Sequence, residues 1–355
     1  LQAVYGTCLL SLTFLNGSLI YFVAVFALGR IAAQAGANLA NQVAIANWFV
    51  RYRGRAMGVT NLGNRLGQAV LPGVAAFLIE TAGWRFAWLF LGAQVWILAM
   101  VPCLLLMRRR PEDLGLLPDG ARPDAVSAGP AGSPGRPPQA RIVEAVSWSA
   151  RQALRTRALW AMTVASCFSY FVGAGINLHL YPFLGDSGIS IQASVLVSGT
   201  FFTMAALGSL AWGALMDRFP VRYCMAFGYA ISAAINFLLL SSPSLESAFL
   251  FAVIYGFAFG GVNTSISIVW PSYFGRTNVG AITGLVLPIQ LFTNALGPLF
   301  GGMMYDRFGD YHLAFLLYGL FTVFAGMAAA LAGPPGPAPQ AADVGTRFDP
   351  DKGRV

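Results

Sequence analysis

The chain has 355 residues, of which 57% are hydrophobic and 10% are charged, and its mean hydropathy is +0.64. A soluble domain carries roughly 25% charged residues, so these charges are too few to cover a water-facing surface, and we predict an integral membrane protein. The net charge of +8 does not indicate nucleic-acid binding, because the basic residues lie between apolar segments. The four cysteines form no CxxC pair, so neither a metal site nor a cofactor is predicted.

Apolar segments long enough to cross a bilayer, which takes ~20 residues, recur along the chain. In chain order they lie at about 19–48, 56–80, 86–107, 158–185, 187–216, 223–245, 247–275, 277–305 and 311–332. The first apolar stretch, 3–15, covers only ~20 Å of a ~30 Å hydrocarbon core. We interpret it as the end of a helix that begins upstream of Leu1. The sequence therefore predicts an all-α membrane protein with about ten helices and a truncated N-terminus.

The basic residues predict how the chain is oriented in the membrane, because they are enriched in cytoplasmic loops. With the Arg51–Arg55 loop placed in the cytoplasm and the spans alternating, 18 of the 22 basic residues face the cytoplasm. Two lie outside and two lie within spans. We predict a multi-pass protein of the plasma (inner) membrane whose linker and C-terminus are cytoplasmic.

Two segments rich in Pro, Gly and Ala lack apolar periodicity, which is typical of disorder. Residues 111–157 are predicted to be a cytoplasmic linker, largely disordered, and residues 333–355 a disordered cytoplasmic tail. These segments delimit an N-terminal transmembrane half, 1–110, which lacks its first helices, and a C-terminal six-helix half, 158–332.

The two halves repeat one another. Gly36-Ala-Asn38 and Gly261-Val-Asn263 lie 225 residues apart, as do Trp48-Phe49 and Tyr273-Phe274. The spans between these copies give a repeat of six helices, so an intact protein would have twelve. Parallel six-helix repeats joined by a cytoplasmic linker are a transporter architecture, and its substrate site lies between the repeats near mid-membrane.

Three motifs resemble those of the major facilitator superfamily. Residues 213–222, GALMDRFPVR, are similar to its GxLxDRxGR loop motif, with Pro220 in place of Gly. Residues 30–36, RIAAQAG, resemble the RxxxQxG motif of its fourth helix, and Gly297-Pro298 resembles a motif from helix 5 of its antiporters. The resemblance implies a helical bundle of two pseudo-symmetric halves, with about ten of twelve transmembrane helices present.

Further motifs resemble the branch of that superfamily that holds monocarboxylate transporters and oxalate/formate antiporters. They are WF at 48–49, RYRGRAMG at 51–58, GWR at 83–85 and RRRPEDLGLLPDG at 108–120. The resemblance implies a secondary transporter, not an enzyme, that moves a small solute by alternating access, and the solute would be an organic anion such as a carboxylate. Unlike that branch's carboxylate binders, spans 187–216 and 277–305 contain no basic residue.

Two alternatives to this function stay open from the sequence. The first is a ten-helix transporter of another superfamily, and the second is a non-transporting membrane sensor. The expected partners are a small solute, for which an anion is the candidate, and the lipid bilayer, with the protein as a monomer.

Arg65 is the leading candidate for a substrate ligand, because a charge inside a span is costly and needs a reason. It shares a helical face with Asn61 and Gln68, and a guanidinium can bind a carboxylate through two parallel hydrogen bonds. We predict that it anchors an anion; the alternative is pairing with backbone carbonyls or with an acid in the missing N-terminal helices. Arg30 heads a second stripe with Asn38, which indicates either substrate contact or a structural or gating role.

Polar residues on three helices of the C-terminal half are further candidate ligands, although interhelical hydrogen bonds would explain them equally well. These candidates are Asn177, Asn263, Gln290 and Asn294. The resemblance also implies a conformational gate formed by Asp217, Arg218 and Arg222. These residues follow span 187–216, which corresponds to the eighth helix of an intact twelve-helix protein.

Overall fold

The computed structural model describes residues 1–33, 39–108, 111–116, 118–120, 148–241 and 244–336, and this part of the chain is almost entirely helical. The α-helices of the first half are α1 Gln2–Ser11, α2 Leu19–Ala33, α3 Ala40–Trp48, α4 Arg53–Ala82, α5 Trp84–Gln94 and α6 Val101–Leu106. Those that follow the linker are α7 Ala150–Ala153, α8 Arg157–Asp186, α9 Ile191–Met216, α10 Val221–Ser241, α11 Leu245–Phe274, α12 Val279–Phe308 and α13 His312–Leu331.

Eight helical segments of the described residues are long and apolar enough to cross a membrane. They are α4, the continuous segment Trp84–Leu105, and the six helices from α8 to α13. The predicted span 19–48 consists of α2 and α3, and residues 34–38 between them lie outside the described residues. The predicted all-helical architecture is thus confirmed.

The segment from α5 to α6 remains one span despite Pro102. A proline has no N–H, so it cannot donate to the carbonyl four residues earlier. The chain accommodates this by a π-helical turn over Val95–Met100, directly before the proline. Such a turn shifts the hydrogen-bond pattern without ending the helix.

The C-terminal half packs its helices at glycine contacts. A Cβ on Gly260 of α11 would collide with the carbonyl of Ala205 on α9, and one on Gly297 of α12 would collide with the carbonyl of Phe171 on α8. Small residues let helices approach closely where lipid supplies no hydrophobic driving force. Thr156, Ser190 and Ser244 cap the N-termini of α8, α9 and α11 with their hydroxyl groups.

Both ends of the predicted linker fold against the helices. Short 3₁₀ turns form at Pro111–Leu114 and Pro118–Gly120. At the other end, Trp148 is 7% exposed and donates its backbone N–H to the carbonyl of Phe274 at 3.3 Å. Residues 121–147 and the tail after 336 lie outside the described residues, so their predicted disorder stays a prediction.

The two halves meet along two seams at the same end of the bundle. In the first seam α4 runs antiparallel to α9, and in the second α3 contacts α12. The Arg276 guanidinium of the loop before α12 donates to the carbonyl of Asn47 in α3 at 3.4 Å. We call the end with Gly54 and Asp217 the Asp217 end; it is the end predicted to be cytoplasmic.

Candidate functional site

The first seam is a backbone contact between two glycines. A Cβ on Gly54 of α4 would collide with the carbonyl oxygen of Gly213 on α9, and the reverse substitution would collide equally. One turn further along α4, a Cβ on Gly58 would lie 2.6 Å from the carbonyl oxygen of Ser209. The seam therefore brings the two backbones as close as they can pack.

Asp217 joins the two halves at this seam. Its Oδ1 accepts the Gly54 N–H at 2.8 Å, and its Oδ2 lies 3.5 Å from Nε of Arg55. The side chain is 9% exposed. Burial raises the pKa of the Asp217 carboxyl, and the N–H groups of Gly54 and Arg55, with the Arg55 charge, offset only part of that rise.

Within the described residues, the other two predicted gate residues form no ion pair with the N-terminal half. Arg218 is exposed, and Arg222 donates to the hydroxyl of its neighbour Tyr223 at 2.7 Å. The contacts of Asp217 are instead made with Gly54 and Arg55, which the sequence analysis did not place in the gate.

Asn61 and Arg65, both predicted as substrate ligands, reach across from α4 to α11. Asn61 donates to the hydroxyl of Thr264 at 3.0 Å, and the Arg65 guanidinium lies 4.8 Å from the ring centroid of Phe259. The latter is a cation–π contact. Among the described residues, the salt bridge that forms is between Arg55 and Asp217, and no carboxylate lies within 4.0 Å of the Arg65 guanidinium nitrogens.

Two further residues of the C-terminal half complete the surroundings of Arg65. Tyr170 of α8 is close enough to interact electrostatically with the guanidinium. Asn294 of α12, a predicted ligand, donates to the Tyr170 carbonyl at 3.2 Å. Residues of α4, α8 and α11 therefore lie around one partly buried cation between the two halves, and α12 joins α8 through Asn294.

Three predicted ligands hold other positions. Gln290 is 2% exposed and donates to the Ser166 hydroxyl at 2.8 Å, so its amide joins α12 to α8. Asn263 donates to the carbonyl of Phe259 in its own helix at 2.9 Å. Asn177 is partly buried on α8.

The remaining predicted ligands lie in the N-terminal half. Gln68 is exposed; its Oε1 accepts from Arg65 at 3.2 Å and its amide donates to Asn64 at 2.5 Å. Arg30 is exposed on α2, and Asn38 lies outside the described residues.

Not every glycine of the two seam helices lies at a close contact. A Cβ on Gly63 or Gly73 of α4, or on Gly199 of α9, would meet no described atom within 4 Å. The close backbone contacts of the seam therefore lie at the Asp217 end, at Gly54 and Gly58.

A family model described as the Major Facilitator Superfamily matches residues 1–202 and 180–350, which together cover nearly the whole chain. The chain belongs to the Major Facilitator Superfamily. The resemblance stated from the sequence motifs is thereby confirmed. Members of this superfamily are integral membrane transporters rather than enzymes, as expected from the sequence.

Two curated superfamily relatives show how far the likeness extends. Monocarboxylate transporter 11 of Mus musculus is 28% identical over 79% of this chain and 59% of its own length. The gallate transporter of Pseudomonas putida is 27% identical over 94% of this chain and 76% of its own length. The chain thus spans about three fifths of the length of the monocarboxylate transporters that it matches.

Solved structures share the superfamily fold. The human organic anion transporter MFSD10 (TETRAN) superposes with a TM-score of 0.66 at 16% identity, over 92% of this chain and 75% of that protein. FucP, in its outward conformation, superposes with a TM-score of 0.66 at 12% identity, over 94% of this chain and 81% of that one.

Phe259 and Gly54 are among the residues of these sites that the sequence analysis missed. Phe259 supplies the ring beneath Arg65, and nothing in the apolar run around it marks that position. Gly54 carried a signal, because it repeats as Gly280 in the second half, and a repeated glycine is typical of a helix crossing.

Proposed function

We propose that this chain is a secondary transporter that moves a small organic anion, a carboxylate, across the membrane by alternating access. The observation that carries the proposal is the placement of Arg65. It is a cation within a span, it lies between the two halves, and the described residues give it no carboxylate partner. Such a cation is favourable when an anion from solution can neutralise it.

The identity of the relatives supports the chemical class of the solute. Those compared above are named as monocarboxylate and gallate transporters, and both names refer to carboxylates. A carboxylate between the halves would accept two parallel hydrogen bonds from the Arg65 guanidinium. Asn61 and Tyr170 would line the same position and supply further polar contacts.

In the proposed cycle, the closed Asp217 end belongs to a state in which the opposite end would be open. With the predicted orientation, in which the Asp217 end is cytoplasmic, the state is outward-facing. The gate would consist of Asp217 with Gly54 and Arg55, and Arg218 and Arg222 would form its basic margin. Return of the carrier requires this seam to part while the opposite ends of α4 and α9 approach one another.

The location follows from the same orientation. We place the protein in the plasma (inner) membrane as a monomer that contacts lipid along its exposed apolar faces, with the linker and the C-terminal tail in the cytoplasm. The 18 basic residues on one side support this topology.

Solute counterflow in proteoliposomes tests the function directly. Vesicles loaded with an unlabelled carboxylate should accumulate its radiolabelled form, and a panel of aliphatic and aromatic carboxylates with neutral controls identifies the class. Arg65→Gln should lower the apparent affinity about ten- to a hundredfold, since a hydrogen bond to a charged group contributes about 1.5–3 kcal/mol.

Arg85→Gln is the matched control. Arg85 also lies over an aromatic ring, at 4.3 Å from the Trp84 centroid, but on the exposed side of α5. It should transport like the unmodified protein. Counterflow of a neutral solute that is insensitive to Arg65→Gln would refute the anion site, and counterflow of no solute on the panel would refute the proposed substrate class.

A further inference from the structure

Asp119, at the start of the linker, binds the loop that leads into α4. Its carboxylate accepts the backbone N–H groups of three consecutive residues, Val50, Arg51 and Tyr52, at 2.8–3.3 Å. These residues precede Asp119 by 67 to 69 positions, so the contact is tertiary rather than a local turn. Asp119 adopts a φ of 60° to make it, a left-handed conformation that aspartate tolerates better than most residues.

The contact fixes the three residues that lead into α4, ahead of the amides of its first turn. The residue before α4 is Tyr52, which has no side-chain hydrogen bond to the first turn. A negative charge close to a helix N-terminus is also favoured by the helix dipole. From the other side, Arg53 fixes the corner by donating to the carbonyls of Ala46 and Phe49 at 3.3 and 3.2 Å.

The contact holds the residues directly before the first turn of α4, where the N-terminal half meets Asp217. Gly54 follows Tyr52 by two residues, and its N–H is the donor to Asp217. The glycine seam tolerates little movement, because a single added Cβ on Gly54 would collide with Gly213. A displaced α4 N-terminus would therefore lose the Asp217 hydrogen bond and the seam together.

The other end of the linker makes an equivalent attachment in the second half. Phe49 and Phe274 are paired by the 225-residue repeat, so the loops that follow them correspond. The loop after Phe274 holds Trp148 by two hydrogen bonds, one to the Phe274 carbonyl and one from Asn278 at 2.9 Å. The two ends of the linker thus bind corresponding loops, one in each half, and each loop lies beside one of the two seams.

We propose that Asp119 is a positioning residue of the transport cycle: the linker turn Pro118–Gly120 holds the start of α4 in the geometry that closes the Asp217 end. Asp119 contacts no solute and acts only through α4. The proposal rests on the alternating-access part of the proposed function, and its test uses no solute, so failure to identify the substrate leaves it testable.

The test uses the full chain in proteoliposomes, with two measurements on Asp119→Ala. Hydrogen exchange at residues 50–52 reports the three amides directly. Spin labels at Arg51 and at the exposed Phe219 report the distance across the seam, in a background whose four free cysteines are replaced by alanine. We expect faster exchange at these amides and about a tenfold rise in the ratio of open to closed seam, the effect of one lost hydrogen bond to a charged group.

Asp310→Ala is the matched control, because the Asp310 carboxylate accepts the His312 N–H at 2.9 Å near the start of α13, away from the Asp217 end. It should leave the seam distance unchanged. If Asp119→Ala fails to fold, Asp119→Asn replaces one acceptor oxygen by a donor that faces these amides, and it should open the seam in the same direction. An unchanged distance in a folded Asp119 variant, or an equal shift in Asp310→Ala, would overturn the proposal.

Discussion

Asp217 of the C-terminal half accepts the backbone N–H of Gly54 in the N-terminal half at 2.8 Å. This bond depends on the bare backbone of Gly54, because the Gly213 carbonyl lies where a Cβ would be. One carboxylate and two glycines thus hold one end of the bundle closed, and this closure has consequences that mutations and pH can reveal.

Gly54→Ala should impair transport strongly. The added methyl group forces α4 and α9 apart, and overpacking typically costs about 1–3 kcal/mol, or roughly a five- to hundredfold loss of the closed population. The rate of counterflow measures this loss. Gly63→Ala, in the same helix but facing open space, removes glycine's flexibility without a collision, so it should leave transport intact. Equal effects of the two variants would contradict the seam.

The closed seam should be favoured by acid. Burial raises the pKa of Asp217 above its ordinary value of 3.8, so the closed seam binds this proton more tightly than an open seam in which the carboxyl meets water. The closed fraction must then rise as pH falls through the raised pKa and level off below 3.8.

Distances between spin labels at Arg51 and Phe219, recorded against pH, measure this effect. Asp217→Asn keeps an acceptor for the Gly54 N–H and should stay closed with no such pH dependence, whereas Asp217→Ala should open. A closed fraction that declines on acidification would show that the pKa is lowered in the closed state, contrary to the account.

Phe259 should govern how firmly Arg65 is held. Its ring lies 4.8 Å from the guanidinium, and a cation–π contact contributes about 0.5–2 kcal/mol. Phe259→Leu should therefore raise KM for the transported carboxylate roughly two- to thirtyfold, and Phe259→Tyr should restore it. Phe257→Leu, on an exposed position of the same helix, is the control, and an equal rise in KM there would refute the role.

Gln290 should affect stability rather than affinity. Its amide donates to Ser166 inside the C-terminal half, and a buried polar group that loses its partner costs about 1–3 kcal/mol. Thermal unfolding in detergent should show a lowered Tm for Ser166→Ala and for Gln290→Leu, and recovery in the double variant, where no unpaired group remains. A changed KM with an unchanged Tm would contradict this role and would support Gln290 as a substrate ligand.

The sequence predicted the helical architecture and the superfamily because both depend on repeated patterns, namely long apolar spans and motifs at fixed spacing. It predicted Arg65 because a charge in a span is exceptional. It could not distinguish Asn61, which bonds across the halves, from Asn263, which bonds its own helix. Periodicity assigns a residue to a face, but the partner depends on tertiary packing.

The contacts of Asp119 could not be predicted from the composition of its segment. It lies in a stretch whose composition is typical of disorder, and its partners are backbone amides, which carry no sequence signal. Gly54 was partly visible through the repeat, yet the sequence did not indicate that Asp217 is its acceptor. Contacts between distant segments therefore required the coordinates.

The central claim is that the bundle closes at one end while it opens at the other, around an anion at Arg65. Two spin-label pairs test it most directly: Arg51 with Phe219 at the Asp217 end, and Ala82 with Gln192 at the opposite end of α4 and α9. With a saturating transported carboxylate and in its absence, the account predicts two distance populations at each end that change reciprocally, and a response to the carboxylate that Arg65→Gln abolishes. Distances that change in the same direction at both ends, or that do not change at all, would contradict it.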